Sequence, residues 1–83
     1  MEYELSQHAS EVILEREIQV EWIDQTLNNP ILMLDDPEDG DLRHHFARIK
    51  DKGNRVLRVV FNKELKPIRI VTVYFDRTMK GKL

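Results

Sequence analysis

His45, Arg58, Arg43 and Tyr74 are the side chains whose types and spacing could do chemistry in this chain. An arginine fork grips phosphate oxygens in pairs and steadies charge that builds on them. An imidazole moves a proton near neutral pH. A phenol donates to an oxygen or stacks on a base. With Thr72 and Asp76 beside them, these are the groups that metal-independent cleavage of RNA asks for. In that reaction the 2′-hydroxyl attacks the neighbouring phosphate. His45 is expected as base or acid, Arg58 and Arg43 as the phosphate grip, and Tyr74 as a donor. Taken one residue at a time, the same set also describes an ordinary wet sheet face with weak Arg–Asp pairs.

Positioning these groups takes strands. Residues 42–50, 55–62 and 68–77 read as three antiparallel strands in a meander. Residues 51–54 supply a hairpin turn with Gly53 where positive φ is needed. Side chains alternate across a strand. Leu57, Val59 and Phe61, with Val71, Val73 and Phe75, therefore mark the face that helices should cover. If Lys50 pairs with Arg55, Phe46 joins that apolar face. Arg43, His45, Arg58, Thr72, Tyr74 and Asp76 then share the other, with Val56, Val60, Asn62 and Ile70 around them. A slip of one residue in the first strand would exchange His45 for His44.

The covering layer is read at residues 6–29. Ser6 is an N-cap, and Ala9, Val12, Ile13 and Arg16 follow at helical spacing. Val20, Ile23 and Leu27 mark a second helix with Trp22 beside its stripe, closed by Asn28-Asn29-Pro30. Glu17–Gln19 is the junction, without glycine; the helices are separated there by a bend or run on, and a bend is favoured. Tyr3–Leu5 reads as a short strand or a lead-in, and Ile31–Leu34 as a small strand. Asp35–Asp41 is an acidic turn, and residues 78–83 form a basic tail expected to fray. The fold class is α+β: two N-terminal helices packed on one face of a three- to four-stranded antiparallel sheet, in one domain.

Charge is sorted by position. Residues 1–41 hold one basic residue, Arg16, against twelve acids, a net −11. Residues 42–83 hold twelve basic residues against three acids, a net +9. Such asymmetry points to a polyanion or an oppositely charged partner, or to two halves that attract each other. With no cysteine, disulfides, thiolate zinc sites and thiol nucleophiles are excluded. The first residues lack the basic and apolar regions of a signal peptide, and no apolar run is long enough for a membrane span. A cytoplasmic protein is expected. His44 and His45 are a poor metal pair, because adjacent strand residues point to opposite faces. No cofactor or metal is expected. His8 and Trp22 read first as a surface residue of the first helical turn and as a core or interface anchor.

Ser6-Gln7-His8-Ala9, Glu15-Arg16-Glu17-Ile18 and the run from Glu21 to Pro30 resemble the opening of the uncharacterised bacterial domain family numbered 4258. The stretches Arg55–Asn62 and Ile68–Arg77 resemble its closing strands. That family is similar to the RelE and BrnT toxins, small folds of helices on an antiparallel sheet that cut RNA and are silenced by an antitoxin. The resemblance implies that His8 and Arg16 fall at family positions on the helices, and Arg58, Thr72 and Tyr74 at family positions on the strands. Glu17 stands where the family usually carries glycine. The acidic first half departs from a typical basic ribonuclease toxin.

Three functions follow as expectations: an RNA-cleaving toxin, free or on the ribosome, with a cognate antitoxin; a non-catalytic module that grips RNA or an acidic peptide; and a self-associating protein whose acidic helices meet the basic sheet of a second copy.

Overall fold

The computed structural model describes residues 1–83. Ser6 opens the first helix: its extended backbone lets Oγ accept from Ala9 N at 3.0 Å. The hydroxyl in turn donates to Val71 O at 3.2 Å, tying the helix start to the sheet. Helix α1 (Gln7–Glu15) buries Ala9, with Val12 and Ile13 half-buried against the core. Helix α2 (Val20–Asn28) buries Ile23, Thr26 and Leu27. Thr26 is satisfied within the helix, donating to Trp22 O at 2.8 Å. Between the helices the chain bends as expected, at Glu17, which takes the left-handed conformation with φ 53°.

The strands are β1 (Tyr3–Leu5), β2 (Leu32–Asp35), β3 (Leu42–Ile49), β4 (Arg55–Asn62) and β5 (Ile68–Phe75). They form one sheet in the order β1-β5-β4-β3-β2. The three long strands make the expected meander. The sheet is larger than expected and mixed: β1 adds to β5 in parallel, and β2 closes the other edge antiparallel to β3. Both additions are short segments that gain strand geometry from the neighbour they pair with.

The helices cover one face, over Ala47, Ile49, Leu57, Val59, Phe61, Ile70 and Val73. Each of these side chains larger than Ala47 stabilises the fold by about 1.5–3 kcal/mol relative to exposure. Two register features differ from the sequence reading. Ile49, not Lys50, pairs with Arg55, because the β3–β4 loop is one residue longer. Lys50–Lys52 form a 3-10 turn, and Gly53 and Asn54 are both left-handed. A bulge between Val60 and Phe61 shifts β5, so Phe61 pairs with Ile70, which is fully buried on the helix side.

The first shift reverses β3. His45 and Arg43 lie on the helix-covered face, opposite Val59 and Phe61, while His44 and Phe46 lie on the other face. The expected placement of His45 and Arg43 on the open face is therefore corrected. The tail also departs from a frayed end: Arg77–Met79 form a 3-10 turn capped by Asp76, and Arg48 Nε donates to Leu83 O at 2.9 Å.

Candidate functional site

Arg58, in the middle of β4, is the hub of the face away from the helices. Its Nε donates to His44 Nδ1 at 2.9 Å and its Nη1 to Asp76 Oδ2 at 2.6 Å. The guanidinium also lies 4.7 Å from the Phe46 ring centre and 5.8 Å from that of Tyr74. It seals Phe46, which is fully buried although no helix lies on that side. Cross-strand pairing explains the assembly: Arg58 is opposite Phe46 on β3 and opposite Tyr74 on β5.

The row continues at both ends. His44 Nε2 meets Asp36 Oδ1 at 2.7 Å, and Asp76 Oδ1 accepts from the backbone N–H and hydroxyl of Thr78. An arginine Nε–H can only donate, so His44 Nδ1 must be the unprotonated nitrogen. Nε2 then carries the proton and donates it to Asp36. A chain Asp36–His44–Arg58–Asp76–Thr78 results, with each donor facing an acceptor.

The charges in it are stabilised by these bonds. The His44 imidazole N–H, aided by the amides of Asp39 and Glu38, holds the Asp36 carboxyl below the usual carboxylate range. Burial works to raise the Asp76 carboxyl, but the hydrogen bonds from Thr78 and Arg58 outweigh it and hold that group low as well. Both carboxylates are ionised at neutral pH, Asp36 through hydrogen bonds to a neutral imidazole and two amides, and Asp76 through hydrogen bonds that include a fixed cation.

Beside this row lies a more open pair. His8 Nε2 is 3.2 Å from Thr72 Oγ1. Thr72 is opposite Val60, two positions along β5 from Tyr74, so it shares the face of Arg58. His8 reaches it from the first turn of α1, at the β5 side of the sheet. His8 is exposed, unlike His44, whose side chain is 11% exposed with both nitrogens engaged.

Of the residues singled out from the sequence, the structure brings together Arg58, Tyr74, Asp76, Thr72 and His8. It separates three. His45 is buried under α2, edge-on to Phe61 at 4.8 Å, and neither ring nitrogen has a hydrogen-bond partner. Burial lowers its pKa; the carbonyls of Thr26 and Leu27 lie near enough to oppose that lowering but do not reach hydrogen-bond geometry. Arg43 pairs with Asp35 at 3.4 Å on that same side. Arg16 caps the far end of α1 from His8 and makes no ion pair. Sequence reasoning missed His44, Asp36 and Thr78 as members of the row. The signal for His44 was Ala47 with Ile49, an apolar pair that claims odd-numbered residues of β3 for the core. No group of three His, Asp or Glu side chains converges in the way a metal ion requires.

Fold and site define a small α+β domain: two helices on one face of a five-stranded mixed sheet, and a hydrogen-bonded ionic row on the other. No helix is long and apolar enough to cross a membrane. The chain belongs to the domain of unknown function family DUF4258, whose family model matches residues 5–75. The match spans every element from the end of β1 to the end of β5 and takes in all members of the row but Asp76 and Thr78. No curated protein and no solved structure matches the chain.

Proposed function

We propose that the chain is an RNA-cleaving domain of the RelE or BrnT toxin type, held in check by a cognate antitoxin. The observation that carries this reading is the Arg58 guanidinium, fixed between His44 and Asp76 with Tyr74, Thr72 and His8 on the same face. The Nη2 end of Arg58 has no protein partner and is available to a phosphate. That face is also turned away from the acidic helices, which would repel a polyanion.

His8 replaces His45 as the residue that moves a proton. It takes the proton of the 2′-hydroxyl as the oxygen bonds to phosphorus. The bond to the 5′-oxygen breaks, and that oxygen is protonated by Tyr74 or by water. The products are a 2′,3′-cyclic phosphate and a 5′-hydroxyl. Arg58 steadies the oxygens on which charge develops. A proton-transfer group of this kind contributes roughly 10²–10⁴ in rate.

The test is induced expression with mapping of RNA ends, alongside purified protein, with and without ribosomes. Wild-type protein is expected to arrest growth and to leave cyclic-phosphate ends. His8→Gln and Tyr74→Phe are expected to fold and to lose most of that activity. Folded wild-type protein that neither arrests growth nor cuts RNA in either setting refutes the cleavage reading.

One observation favours a second reading, a non-catalytic RNA-binding module. Both nitrogens of His44 are occupied, so the most buried histidine of the face serves to orient Arg58 and has no free lone pair for a substrate. RNA binding by wild-type protein that is unchanged in His8→Gln, with no cleavage, would select it.

A further inference from the structure

Seven of the twelve cations in residues 42–83 gather at one end of the sheet. The β3–β4 loop carries Lys50 and Lys52, Arg48 and Arg55 flank it, and the segment after β5 adds Arg77, Lys80 and Lys82. The acidic loop Asp35–Asp41 lies at the other end of β3, a strand's length of about 25 Å away. At the basic end is a cleft of about 360 Å³, whose walls include Arg55, Phe75, Arg77 and Lys80. None of those three cations makes an ion pair within the chain. Unpaired cations gathered around a concavity leave a positive field with no internal partner.

Two aromatic rings accompany them. Phe75 and Trp22 meet edge to face at 6.0 Å, both half-buried. Arg55 lies 4.5 Å from the Phe75 ring centre and Lys52 lies 5.7 Å from that of Trp22. Of the two rings only Phe75 lines the cleft, and with Arg55 beside it the wall pairs a cation with an aromatic ring, a combination found where proteins hold single-stranded nucleic acid. Asp76 also lines the cleft, but its two oxygens are taken by Arg58 and Thr78, which offsets its charge. It is at once a wall of the cleft and the anchor of Arg58, so the cleft adjoins the open-face row.

We propose that this cleft binds the phosphodiester backbone of a single RNA strand, with Arg55, Arg77 and Lys80 as phosphate contacts, and leads that strand to Arg58. The proposal rests on the reading that the chain acts on RNA. Arg55 and Phe75 approach the cleft from the helix side and Asp76 from the open face, so the cleft opens at the end of the sheet and Asp76 links it to Arg58.

The experiment measures binding of a short, fluorescently labelled 2′-O-methyl oligoribonucleotide by anisotropy over a range of salt. The missing 2′-hydroxyl keeps binding separate from cleavage. The triple variant Arg55→Gln/Arg77→Gln/Lys80→Gln is compared with Lys63→Gln/Lys66→Gln/Arg69→Gln, which removes the same charge at the opposite end of β4 and β5. Thermal melts establish that both fold. The single variants Arg77→Gln and Lys80→Gln serve if Arg55→Gln loosens Phe75. Each lost phosphate contact lowers the slope of log affinity against log salt by about 0.7, so the cleft variant is expected to lose about two units of slope and at least tenfold in affinity at low salt. The opposite-end variant is expected to keep the wild-type slope. Equal losses in the two triple variants, or a wild-type slope in the cleft variant, overturns the proposal, as does wild-type protein that binds no RNA. Cleft-dependent binding with unmodified RNA left uncut supports the cleft and refutes only the cleavage reading. Cleavage at full rate by the cleft variant with undiminished affinity does the reverse.

Discussion

Arg58 donates to His44 Nδ1 at 2.9 Å although the two are diagonal, not opposite, across β3 and β4. The long arginine stem spans the offset, and the bond fixes the histidine tautomer. The same guanidinium is paired with Asp76, whose side chain is 5% exposed. A buried carboxylate with one cationic partner gives that arginine a structural role, which stability experiments have to separate from the proposed one in binding phosphate.

Arg58→Met is expected to destabilise the domain by about 3 kcal/mol, because it leaves the nearly buried Asp76 carboxylate without its cation. For a chain of this size that is a large part of total stability, roughly 5–15 kcal/mol for small domains. Arg58→Met combined with Asp76→Asn is expected to recover most of the loss. Urea unfolding of the two single variants and the double variant gives the coupling. Additive losses would show that the pair is not the source of the effect.

Stability should fall in two stages as pH is lowered. The folded-state pKa of His45 lies below its unfolded value of about 6.5, so its contribution is complete above that pH and is lost as pH falls below it. Asp36 and Asp76 are also held low, so their contribution is complete above the ordinary carboxylate range near 4 and is lost below it. His45→Leu is expected to remove the first stage and leave the second. It should also stabilise the neutral-pH protein by about 1 kcal/mol, since two unpaired ring nitrogens leave the core. Denaturation midpoints measured near pH 7, 5.5 and 4, about 1.5 units apart, test the order. A first stage that survives His45→Leu would assign it to another group.

Glu17→Gly should raise stability by about 1 kcal/mol. A left-handed conformation costs a residue with a side chain about 1–2 kcal/mol, less glycine's greater entropy loss on folding. In a domain this small the melting temperature should rise by about 4–8 °C. Glu17→Ala removes the same charge without relieving the strain and should leave the melting temperature within a few degrees. Equal gains from both would point to charge repulsion among the helix acids.

Phe46→Ala is expected to cost about 3–5 kcal/mol, as for a ring deep in a helix-covered core. Its burial comes from Arg58 and its strand neighbours. A cost below about 1 kcal/mol in chemical denaturation would mean that this face has no packed layer of its own.

Much of the fold was written in local pattern. Ser6 as a cap, the Asn28-Asn29-Pro30 stop and the alternation in β4 all act over a few residues, so the helices and the meander could be read directly, whereas the bend was located at Glu17 only by its left-handed backbone. Arg58, Thr72 and Tyr74 on one face followed from the same alternation. His44 could not be placed so simply, because the β3 register depends on a loop whose length is set by two consecutive left-handed residues, Gly53 and Asn54. One extra loop residue exchanged His45 for His44. Ile70 was misplaced for the parallel reason that a bulge breaks strict alternation.

The amino-acid order by itself determined that this is an α+β domain with acidic helices, a basic sheet and Arg58 beside Tyr74. Hydrophobic period and capping are properties of neighbours in the chain. Tertiary structure alone decided that His44 and not His45 orients Arg58, that β1 joins in parallel, and that Arg55, Arg77 and Lys80 surround one cleft. Those outcomes depend on register and on edges meeting across long separations in sequence, where a single-residue shift changes which face a side chain occupies.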